Sequence, residues 1–479
     1  MMTDMREVDV IVIGAGSTGE NVADYAHRGG LSAVLVESEL VGGDCSYWAC
    51  MPSKALLRPG ALVAAARSVD GAKQAVTGQL DVDAVLGRRD EFTHHWDDSS
   101  QVQWAERAGL EVIRGHGRLA GERRVDISSP GGRTVELRAR QAVVICTGSR
   151  ATVPPIEGLA ESKPWTSHEA TSAKEVPGRL VVIGGGVVGV EMADAWSALG
   201  SQVTLLAAED RLLTRMPAEA GTRLVAALKD KGIDVRLSTA ASAVRRADDG
   251  TVTVRIEDGS EVEGDEVLVA TGRSPRSDDI GLDTVGLTPG DWLAVDDTMR
   301  VTAVDGGWLY AAGDANHRAL LTHMGKYQGR ACGTAIAARA AGTLSDPDTA
   351  PWGSAVATAD HRTVPQVTFT DPEIASVGLT ESEARDAGID VATVEYEIGS
   401  VAGAALVRDG YDGWAQLVID TNRQVIVGAC FVGPEVGELL HSATVAVVGE
   451  VPMDRLWHAV PSYPTISEIW LRLLETWRS

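Results

Sequence analysis

Apolar residues are grouped along the chain in short runs that end at glycines, and one such arrangement occurs twice. The runs VDVIVI (8–13) and RLVVI (179–183) each lead into a glycine turn, an alternating apolar and polar stretch, and a second apolar run. Residues 8–37 and 178–207 align without gaps. Each copy predicts a buried strand, a turn, a helix and a second strand, which is the first βαβ unit of a dinucleotide-binding fold.

The glycines of the two copies coincide. In such a turn they let backbone N–H groups approach a pyrophosphate, while the helix N-terminus supplies partial positive charge. One G-x-G-x-x-G motif also arises as a coincidence of glycine turns, but two in matching strand–turn–helix contexts are strong evidence. The sequence therefore predicts two dinucleotide sites, which are built on Gly14, Gly16 and Gly19 and on Gly184, Gly186 and Gly189.

The second strand ends differently in the two copies. Glu37 ends the first copy at a spacing that suits a carboxylate binding a ribose 2′-hydroxyl. Ala207 takes that position in the second copy, and Arg211 and Arg215 follow it. Loss of the carboxylate favours NADPH, whose 2′-phosphate the arginines would meet, but Glu209 leaves NADH open.

The rest of the pattern extends the α/β organisation. Apolar strands ending in Thr-Gly at 147–148 and 271–272 form a second, shorter repeat. Further along, a strand runs into Gly313-Asp314 and precedes a helical stretch at 320–342. Residues 51–110 are predicted to be mainly helical, and residues 111–140 are predicted to form mainly strands. From about residue 349, the pattern predicts a mixture of strands and helices without a nucleotide motif.

Charge and composition narrow the class of protein. The 479 residues are 44% hydrophobic and carry a net charge of −24, which argues against nucleic acid and anionic membranes as partners. The N-terminal apolar run is short and broken by glycines, and no run of about 20 apolar residues exists to span a membrane. We therefore expect a cytoplasmic protein, in which a paired-cysteine motif points to redox or metal chemistry.

Two of the five cysteines lie in GGDCSYWACMPSKALL (42–57). Pro52 is best tolerated in a first helical turn, so a helix is expected to begin between Cys50 and Pro52. A thiol at that positive end has a lowered pKa and rests as a thiolate, with Cys45 as its exchange partner. Residues five apart in a helix lie about 7.5 Å apart along its axis, so a Cys45–Cys50 bond needs an irregular turn.

The sequence also allows other interpretations of the cysteines. Cys45 and Cys50 would be two unrelated buried thiols if the turn kept them apart. Zinc is disfavoured, because no second Cys/His pair has ligand spacing, so no metal is expected. The remaining cysteines lie in apolar runs and are predicted to be buried, inert thiols: Cys146, Cys332 and Cys430.

Taken together, the motifs resemble those of the class I pyridine nucleotide-disulfide oxidoreductases. The resemblance rests on GAGSTG with Glu37, GGDCSYWACMPSK, GGGVVGVE, VATGRSP and YAAGD. It covers essentially the whole chain, because VPQVTFTDPEIASVGLTE (364–381) resembles the start of that family's dimerisation domain.

The resemblance implies FAD in the first dinucleotide site and NADPH or NADH in the second. Electrons would pass from the nicotinamide through the flavin to a Cys45–Cys50 disulfide, with Cys50 facing the flavin and Lys54 paired with Glu191 nearby. The implied FAD residues are Gly14, Gly16, Gly19, Glu37, Gly43, Asp44, Gly117, Thr147, Gly148, Asp314, Thr322 and His323. The implied NAD(P)H residues are Gly184, Gly186, Gly189, Arg211 and Gly272.

The family resemblance also implies a domain division and a homodimer. The expected segments are an FAD domain at 1–155, an NAD(P) domain at 156–280, a completion of the FAD domain at 281–348, and an α+β dimerisation domain at 349–479. Tyr463 and Glu468 would act across the dimer interface, so two subunits would share each active site.

The sequence departs from the family pattern in three places. The loop between the cysteines, Ser46–Ala49, is bulkier and aromatic, and the acidic residue at 207 is missing. Tyr463 replaces the histidine that protonates the leaving thiolate, although Glu468, which orients that histidine in the family, is retained. A phenol with a pKa of about 10 is a poor acid–base catalyst near neutral pH. His458 is a candidate substitute.

Three functions remain open at this point. The first is an NAD(P)H-dependent flavoenzyme that reduces a disulfide through Cys45–Cys50, or oxidises a dithiol in reverse. The second is a flavin reductase for quinones, metal ions or another nicotinamide, which Tyr463 favours. The third is a redox-sensing or carrier subunit. The substrate is a small molecule whose identity no motif selects.

Overall fold

The computed structural model describes residues 6–345 and 349–479 and has an α/β fold. Its strands are β1 Arg6–Ile13, β2 Ala33–Glu37, β3 Glu111–Arg114, β4 His116–Leu119, β5 Arg124–Ser128, β6 Thr134–Ile145, β7 Ser149–Ala151, β8 Arg179–Ile183, β9 Gln202–Leu206, β10 Asp234–Arg236, β11 Ala241–Arg246, β12 Val252–Ile256, β13 Glu261–Gly264, β14 Glu266–Val269, β15 Arg273–Pro275, β16 Leu309–Ala311, β17 Pro365–Thr368, β18 Glu373–Gly378, β19 Val391–Glu397, β20 Trp414–Asp420 and β21 Val425–Gly433.

The α-helices of the described residues follow the expected distribution. They are α1 Ser17–Arg28, α2 Gly43–Tyr47, α3 Cys50–Arg67, α4 Val82–Phe92, α5 Ser99–Arg107, α6 Ser167–Ser172, α7 Val187–Ala198, α8 Ala218–Asp230, α9 Thr322–Ala340, α10 Glu381–Asp386, α11 Ala402–Val407, α12 Val436–Val448, α13 Met453–Leu456 and α14 Ile469–Arg478. In residues 6–345 and 349–479, no helix has the length and apolar character needed to cross a membrane.

The described residues fall into two compact units. The first consists of the residues up to Met51, Asp90–Arg150 and Arg273–His361, and the second of Pro52–Arg89, Ala151–Gly272 and Arg362–Ser479. The repeat predicted from the sequence is present as β1–α1–β2 in the first unit and β8–α7–β9 in the second. The boundary expected at 348/349 adjoins residues 346–348, which lie outside the described residues, and the four-segment division stays a prediction.

The first unit is built on a seven-stranded sheet in the order β3-β2-β1-β6-β5-β4, with β16 also paired to β6. Helix α9 packs closely against α1 because three of its glycines leave room for that helix. A Cβ at Gly329 would lie 2.7 Å from the Thr18 carbonyl oxygen, and one at Gly333 would lie 2.5 Å from the Val22 carbonyl oxygen. This packing brings the N-terminal end of α9 beside the turn that opens α1.

The second unit contains three sheets. A parallel sheet of order β10-β9-β8-β14 carries the second dinucleotide motif, and β11-β12-β13 form a small antiparallel sheet. The C-terminal part is an antiparallel sheet of order β17-β18-β21-β20-β19 whose apolar face packs on α12 and α14. Buried Trp196 on α7 and Leu205 on β9 belong to one apolar core of this unit.

Candidate active site

A cavity of about 540 Å³ opens where β1, β2 and β6 end in the first unit. Most residues expected to hold FAD line it: Gly14, Gly16, Glu37, Gly43, Asp44, Gly117, Thr147, Gly148, Asp314 and Thr322. Gly19 and His323, which were also expected to bind FAD, do not line the cavity. Gly19 has a steric role instead, since a Cβ there would lie 1.9 Å from the Gly14 carbonyl oxygen.

The glycine turn leaves the cavity side open. Gly14 has a φ of +103°, and a Cβ there would lie 2.3 Å from the Cys146 carbonyl oxygen, so both its conformation and its surroundings require glycine. Gly16 has an extended backbone, and a Cβ there would find Gly43 Cα at 3.7 Å as its nearest described neighbour. The space beside Gly16 is therefore available to a ligand.

Two carboxylates of the cavity, that of buried Glu37 and that of half-buried Asp314, are held by hydrogen bonds from the protein. Glu37 accepts hydrogen bonds from the backbone N–H groups of Ala15, at 2.7 Å, and Glu39, at 2.8 Å, and burial raises its pKa. Burial likewise raises the pKa of Asp314, which accepts a hydrogen bond from the Ser149 hydroxyl. These acceptors are held by the protein before any ligand binds.

Two arginines of the cavity were not identified from the sequence. Arg273 donates to Asp44 at 3.3 Å and lies 3.7 Å from Asp314, while Arg276 lies 3.5 Å from Asp44 and donates to Glu39 at 3.1 Å. Both follow the Thr-Gly of the second short repeat, in TGRSPR, which is the signal that could have identified them. They place positive charge beside the carboxylates of Asp44, Glu39 and Asp314, and Arg150 also lines the cavity.

The two cysteines of the predicted pair lie together beside this cavity. Cys45 is in α2, which ends where Trp48 has a φ of −139°, and Cys50 is the first residue of α3. Cys50 Sγ lies 3.2 Å from Thr322 Oγ1, at the start of α9. The irregular turn and the helix start at Cys50 expected from the sequence are therefore confirmed.

The environment distinguishes the two thiols. The interaction with Cys50, and then burial, raise the pKa of the Cys45 thiol. Cys50 instead lies where α3 and α9 both begin, and helix N-termini favour a thiolate. Of the two sulfurs, Cys45 is the one that retains its proton. Cys146 and Cys430 are buried, with pKa values raised to about 12, and Cys332 is buried as well, as expected for inert thiols.

The second unit contains the predicted Lys54–Glu191 pair. Lys54 Nζ donates to Glu191 Oε2 at 2.7 Å, and the Phe369 backbone N–H donates to Glu191 Oε1 at 2.9 Å. Lys54 Nζ also lies 4.9 Å from the centre of the Phe369 ring. Because Glu191 is buried, its position is fixed by both donors.

We expect Glu191→Ala to lower the free energy of unfolding by about 1.5–3 kcal/mol, since hydrogen bonds to charged groups contribute amounts of this order. Glu191→Gln keeps an acceptor for the Phe369 N–H and should lose less. Urea unfolding of the wild type and both variants measures the difference. A Glu191→Ala protein as stable as the wild type would show that the hydrogen bonds accepted by Glu191 do not stabilise the unit.

The second dinucleotide turn repeats the geometry of the first. Gly184 has a φ of +123°, and a Cβ there would lie 2.4 Å from the Ala270 carbonyl oxygen. Gly189 is likewise restricted by the Gly184 carbonyl oxygen, whereas a Cβ at Gly186 or at Gly272 would meet no described atom within 4 Å. The Arg211 guanidinium donates to the Thr214 carbonyl at 2.8 Å, so it is held within its own loop.

Tyr463 and Glu468 differ in their exposure and in their hydrogen-bond partners. The Tyr463 side chain is exposed, while Glu468 is buried and pairs with Arg472 at 2.7 Å. Across residues 6–345 and 349–479 there is no hydrogen bond between the phenol and the Glu468 carboxylate. Arg472, one helical turn further on, donates to Glu468 Oε1, and the roles expected for Tyr463 and Glu468 across a dimer interface stay a prediction.

Comparison with known proteins shows the family. The model of the pyridine nucleotide-disulphide oxidoreductases matches residues 8–342, and the model of their dimerisation domain matches residues 364–473. A dihydrolipoyl dehydrogenase of Haloferax volcanii is 31% identical over 471 residues, covering 96% of this chain and 94% of that one. A mercuric reductase of Shigella flexneri is 32% identical over 472 residues, covering 96% of this chain and 79% of that one.

Structural comparison gives the same fold. The chain is similar to the flavoprotein disulfide reductase RclA of Escherichia coli in its Cu(II) complex, with a TM-score of 0.83 and 23% identity over 98% of this chain and 99% of that one. The chain thus belongs to the pyridine nucleotide-disulphide oxidoreductase family and has two Rossmann-like domains and a dimerisation domain. It is an FAD-dependent NAD(P)H oxidoreductase.

The residues of the first unit fit FAD. The open side of Gly16, the arginines and the buried Thr147 Oγ1, for which no described group is a hydrogen-bond partner, suit a ligand with a pyrophosphate and several polar groups. When bound, FAD supplies two-electron transfer between a nicotinamide and an acceptor. The chain's own residues would hold it, keep water from the reacting groups and keep a proton at Cys45.

Proposed function

We propose that the chain reduces a disulfide substrate through a Cys45–Cys50 disulfide, with NAD(P)H as the electron donor. The observation that carries this proposal is the contact of the two thiols beside the cavity, with Cys50 Sγ at 3.2 Å from Thr322 Oγ1. In the net step, the hydride of NAD(P)H and the disulfide give NAD(P)⁺, one thiolate and one thiol. The position of Cys50 at the start of α3, together with the raised pKa of Cys45, assigns the thiolate to Cys50 and the proton to Cys45.

The remaining roles complete the proposal. The cavity residues hold FAD, the Gly184–Gly189 turn and Arg211 hold NAD(P)H, and the Lys54–Glu191 pair lies near the flavin. The protein is a cytoplasmic homodimer with the domain division 1–155, 156–280, 281–348 and 349–479. Support comes from the dimerisation-domain match and from the retained motifs. Tyr463 and Glu468 serve the site of the partner subunit.

A second candidate function is reduction of quinones, metal ions or another nicotinamide, with the cysteines secondary. Tyr463 favours it, because a phenol is a poorer acid–base catalyst near neutral pH than the imidazole that it replaces. Mercuric reductases, which are named for a metal ion, are among the relatives of similar identity. In that reaction no leaving thiolate needs a proton.

Counting thiols tests the main proposal. The purified protein is expected to show two fewer reactive thiols, after denaturation without reductant, than the same protein first reduced with NAD(P)H in the absence of oxygen. Cys45→Ser serves as the control, because it cannot form the disulfide and should give the same count in both states. An unchanged thiol count in the wild type would contradict electron transfer through a Cys45–Cys50 disulfide. It would leave the second candidate function, reduction of quinones, metal ions or another nicotinamide.

Replacing Tyr463 distinguishes the two candidates. If turnover of a disulfide requires protonation of the leaving thiolate, Tyr463→His should raise that turnover by a factor within the roughly 10²–10⁴ range of general acid–base groups. Reduction of a quinone should change little. Steady-state rates with both acceptors measure this, with Tyr463→Phe as the control. Loss of disulfide turnover in Tyr463→Phe without a gain in Tyr463→His would show that the Tyr463 hydroxyl itself takes part in the reduction of the disulfide.

A further inference from the structure

The segment between the two cysteines is anchored by a buried aromatic residue. Tyr47 lies two residues after Cys45, its side chain is 0% exposed, and its hydroxyl donates to the Val41 carbonyl at 3.1 Å. Trp48 meets the Tyr47 ring edge-on, with ring centres 5.8 Å apart. A Cβ at Gly42 would lie 3.1 Å from the Tyr47 ring, so this ring packs directly on the turn that lines the cavity.

A second segment, residues 93–98, holds this loop from the other side. The Trp96 indole N–H donates to the Tyr47 carbonyl at 3.1 Å. Asp98, which is buried and paired with Arg114 at 2.6 Å, accepts a hydrogen bond from the Val41 N–H at 2.7 Å. The C-terminal end of α2 and the turn that precedes α2 are thus both hydrogen-bonded to the segment 93–98.

The backbone that presents Trp96 is unusual. His94, His95 and Trp96 have φ values of 49°, 53° and 59°, a left-handed conformation that residues with a Cβ rarely adopt, and here three follow one another. Strained backbone of this kind persists where surrounding contacts hold it and is concentrated at functional sites. The turn is closed by hydrogen bonds from Trp96 N to Thr93 O and from Asp97 N to His94 O, both at 2.9 Å.

We propose that Trp96 is a positioning residue for the redox pair, whose indole hydrogen bond to Tyr47 holds the Cys45–Cys50 loop in the geometry in which the two sulfurs meet. The inference rests on the proposed redox role of these cysteines and adds the element that sets their reduction potential. The step concerned is the two-electron reduction of the disulfide to a thiol at Cys45 and a thiolate at Cys50, with NAD(P)H supplying both electrons and the one proton.

The expected direction of the change in the dithiol/disulfide equilibrium follows from the conformational freedom of the loop between Cys45 and Cys50. Holding two thiols in contact raises their effective concentration and favours the disulfide. Without the indole hydrogen bond, the reduced loop gains conformations in which the sulfurs separate, so the dithiol becomes more favourable. Loss of the contact should therefore make the disulfide easier to reduce.

The test is a redox equilibration of flavin-loaded Trp96→Phe against dithiothreitol buffers, read by thiol count. Phenylalanine keeps an aromatic ring and removes the N–H donor. We expect the dithiol/disulfide equilibrium constant to shift about tenfold toward the dithiol, which is about 30 mV for a two-electron couple. Trp104→Phe is the matched control, because Trp104 is exposed on α5 of the same unit and should behave as wild type.

Tyr47→Phe, which removes the hydroxyl bond to Val41 but keeps the carbonyl that receives the indole, is expected to shift the equilibrium in the same direction by a smaller factor. Should Trp96→Phe not fold, Trp96→Tyr, which also removes the indole N–H, takes its place. If the wild type titrates and Trp96→Phe or, failing that variant, Trp96→Tyr coincides with it, the positioning role is wrong. If the thiol count of the wild type does not change over the whole range, the proposed function of the cysteines is wrong.

Discussion

Gly16→Leu is expected to give a folded protein without FAD. The Gly16 backbone has φ −71° and ψ 178°, which any residue adopts, and the nearest described atom to an added Cβ is 3.7 Å away. The substitution therefore leaves the turn intact and fills the space beside it. Exclusion of a pyrophosphate removes several backbone hydrogen bonds of about 0.5–1.5 kcal/mol each, so affinity should fall by more than about 100-fold.

The matching position in the second motif supplies the control. Gly186 also has an extended backbone, and the structure describes no atom within 4 Å of an added Cβ. Gly186→Leu should keep its flavin and lose binding of NAD(P)H. Flavin absorbance after gel filtration, with circular dichroism as a check of folding, measures both. A Gly16→Leu protein with the wild-type flavin content would show that the cavity is not the FAD site.

Cys50→Ser is expected to lose the long-wavelength charge-transfer absorbance that two-electron reduction gives the wild type, together with disulfide turnover. The reason is the location of Cys50 at the start of α3 and 3.2 Å from Thr322 Oγ1, which favours a thiolate. Turnover of a disulfide should fall by on the order of 10³ or more, as removal of a nucleophile does in other enzymes.

Cys45→Ser separates the roles of the two sulfurs. It leaves Cys50 permanently reduced, so the absorbance band should be present before any reductant is added. In the wild type, the interaction with Cys50 and then burial raise the pKa of Cys45, so the band is expected from Cys50. Absorbance spectra of both variants during anaerobic reduction make the comparison. A band that survives in Cys50→Ser and vanishes in Cys45→Ser would reverse the assignment.

Local steric requirements explain what could be predicted from the sequence. Gly14 and Gly184 are needed because a Cβ would strike the backbone of the strand end beside them, and such a requirement produces a motif with fixed spacing. The helix start at Cys50 was predictable for a similar reason, since Pro52 is compatible with only the first turn. These features depend on residues that are near in the sequence or repeated in it.

Contacts between distant segments explain what could not be predicted. Arg273 reaches Asp44 over a separation of 229 residues, and Thr322 reaches Cys50 over 272. The left-handed turn at His94–Trp96 contains no glycine from which it could have been predicted.

Anaerobic titration with NADPH, and separately with NADH, measures whether electrons pass through Cys45 and Cys50. The wild type is expected to take up four electrons per flavin, two in the disulfide and two in the flavin, and Cys45→Ser is expected to take up two. Uptake of two electrons per flavin by the wild type, with no long-wavelength band, would show that the two cysteines lie outside the electron path.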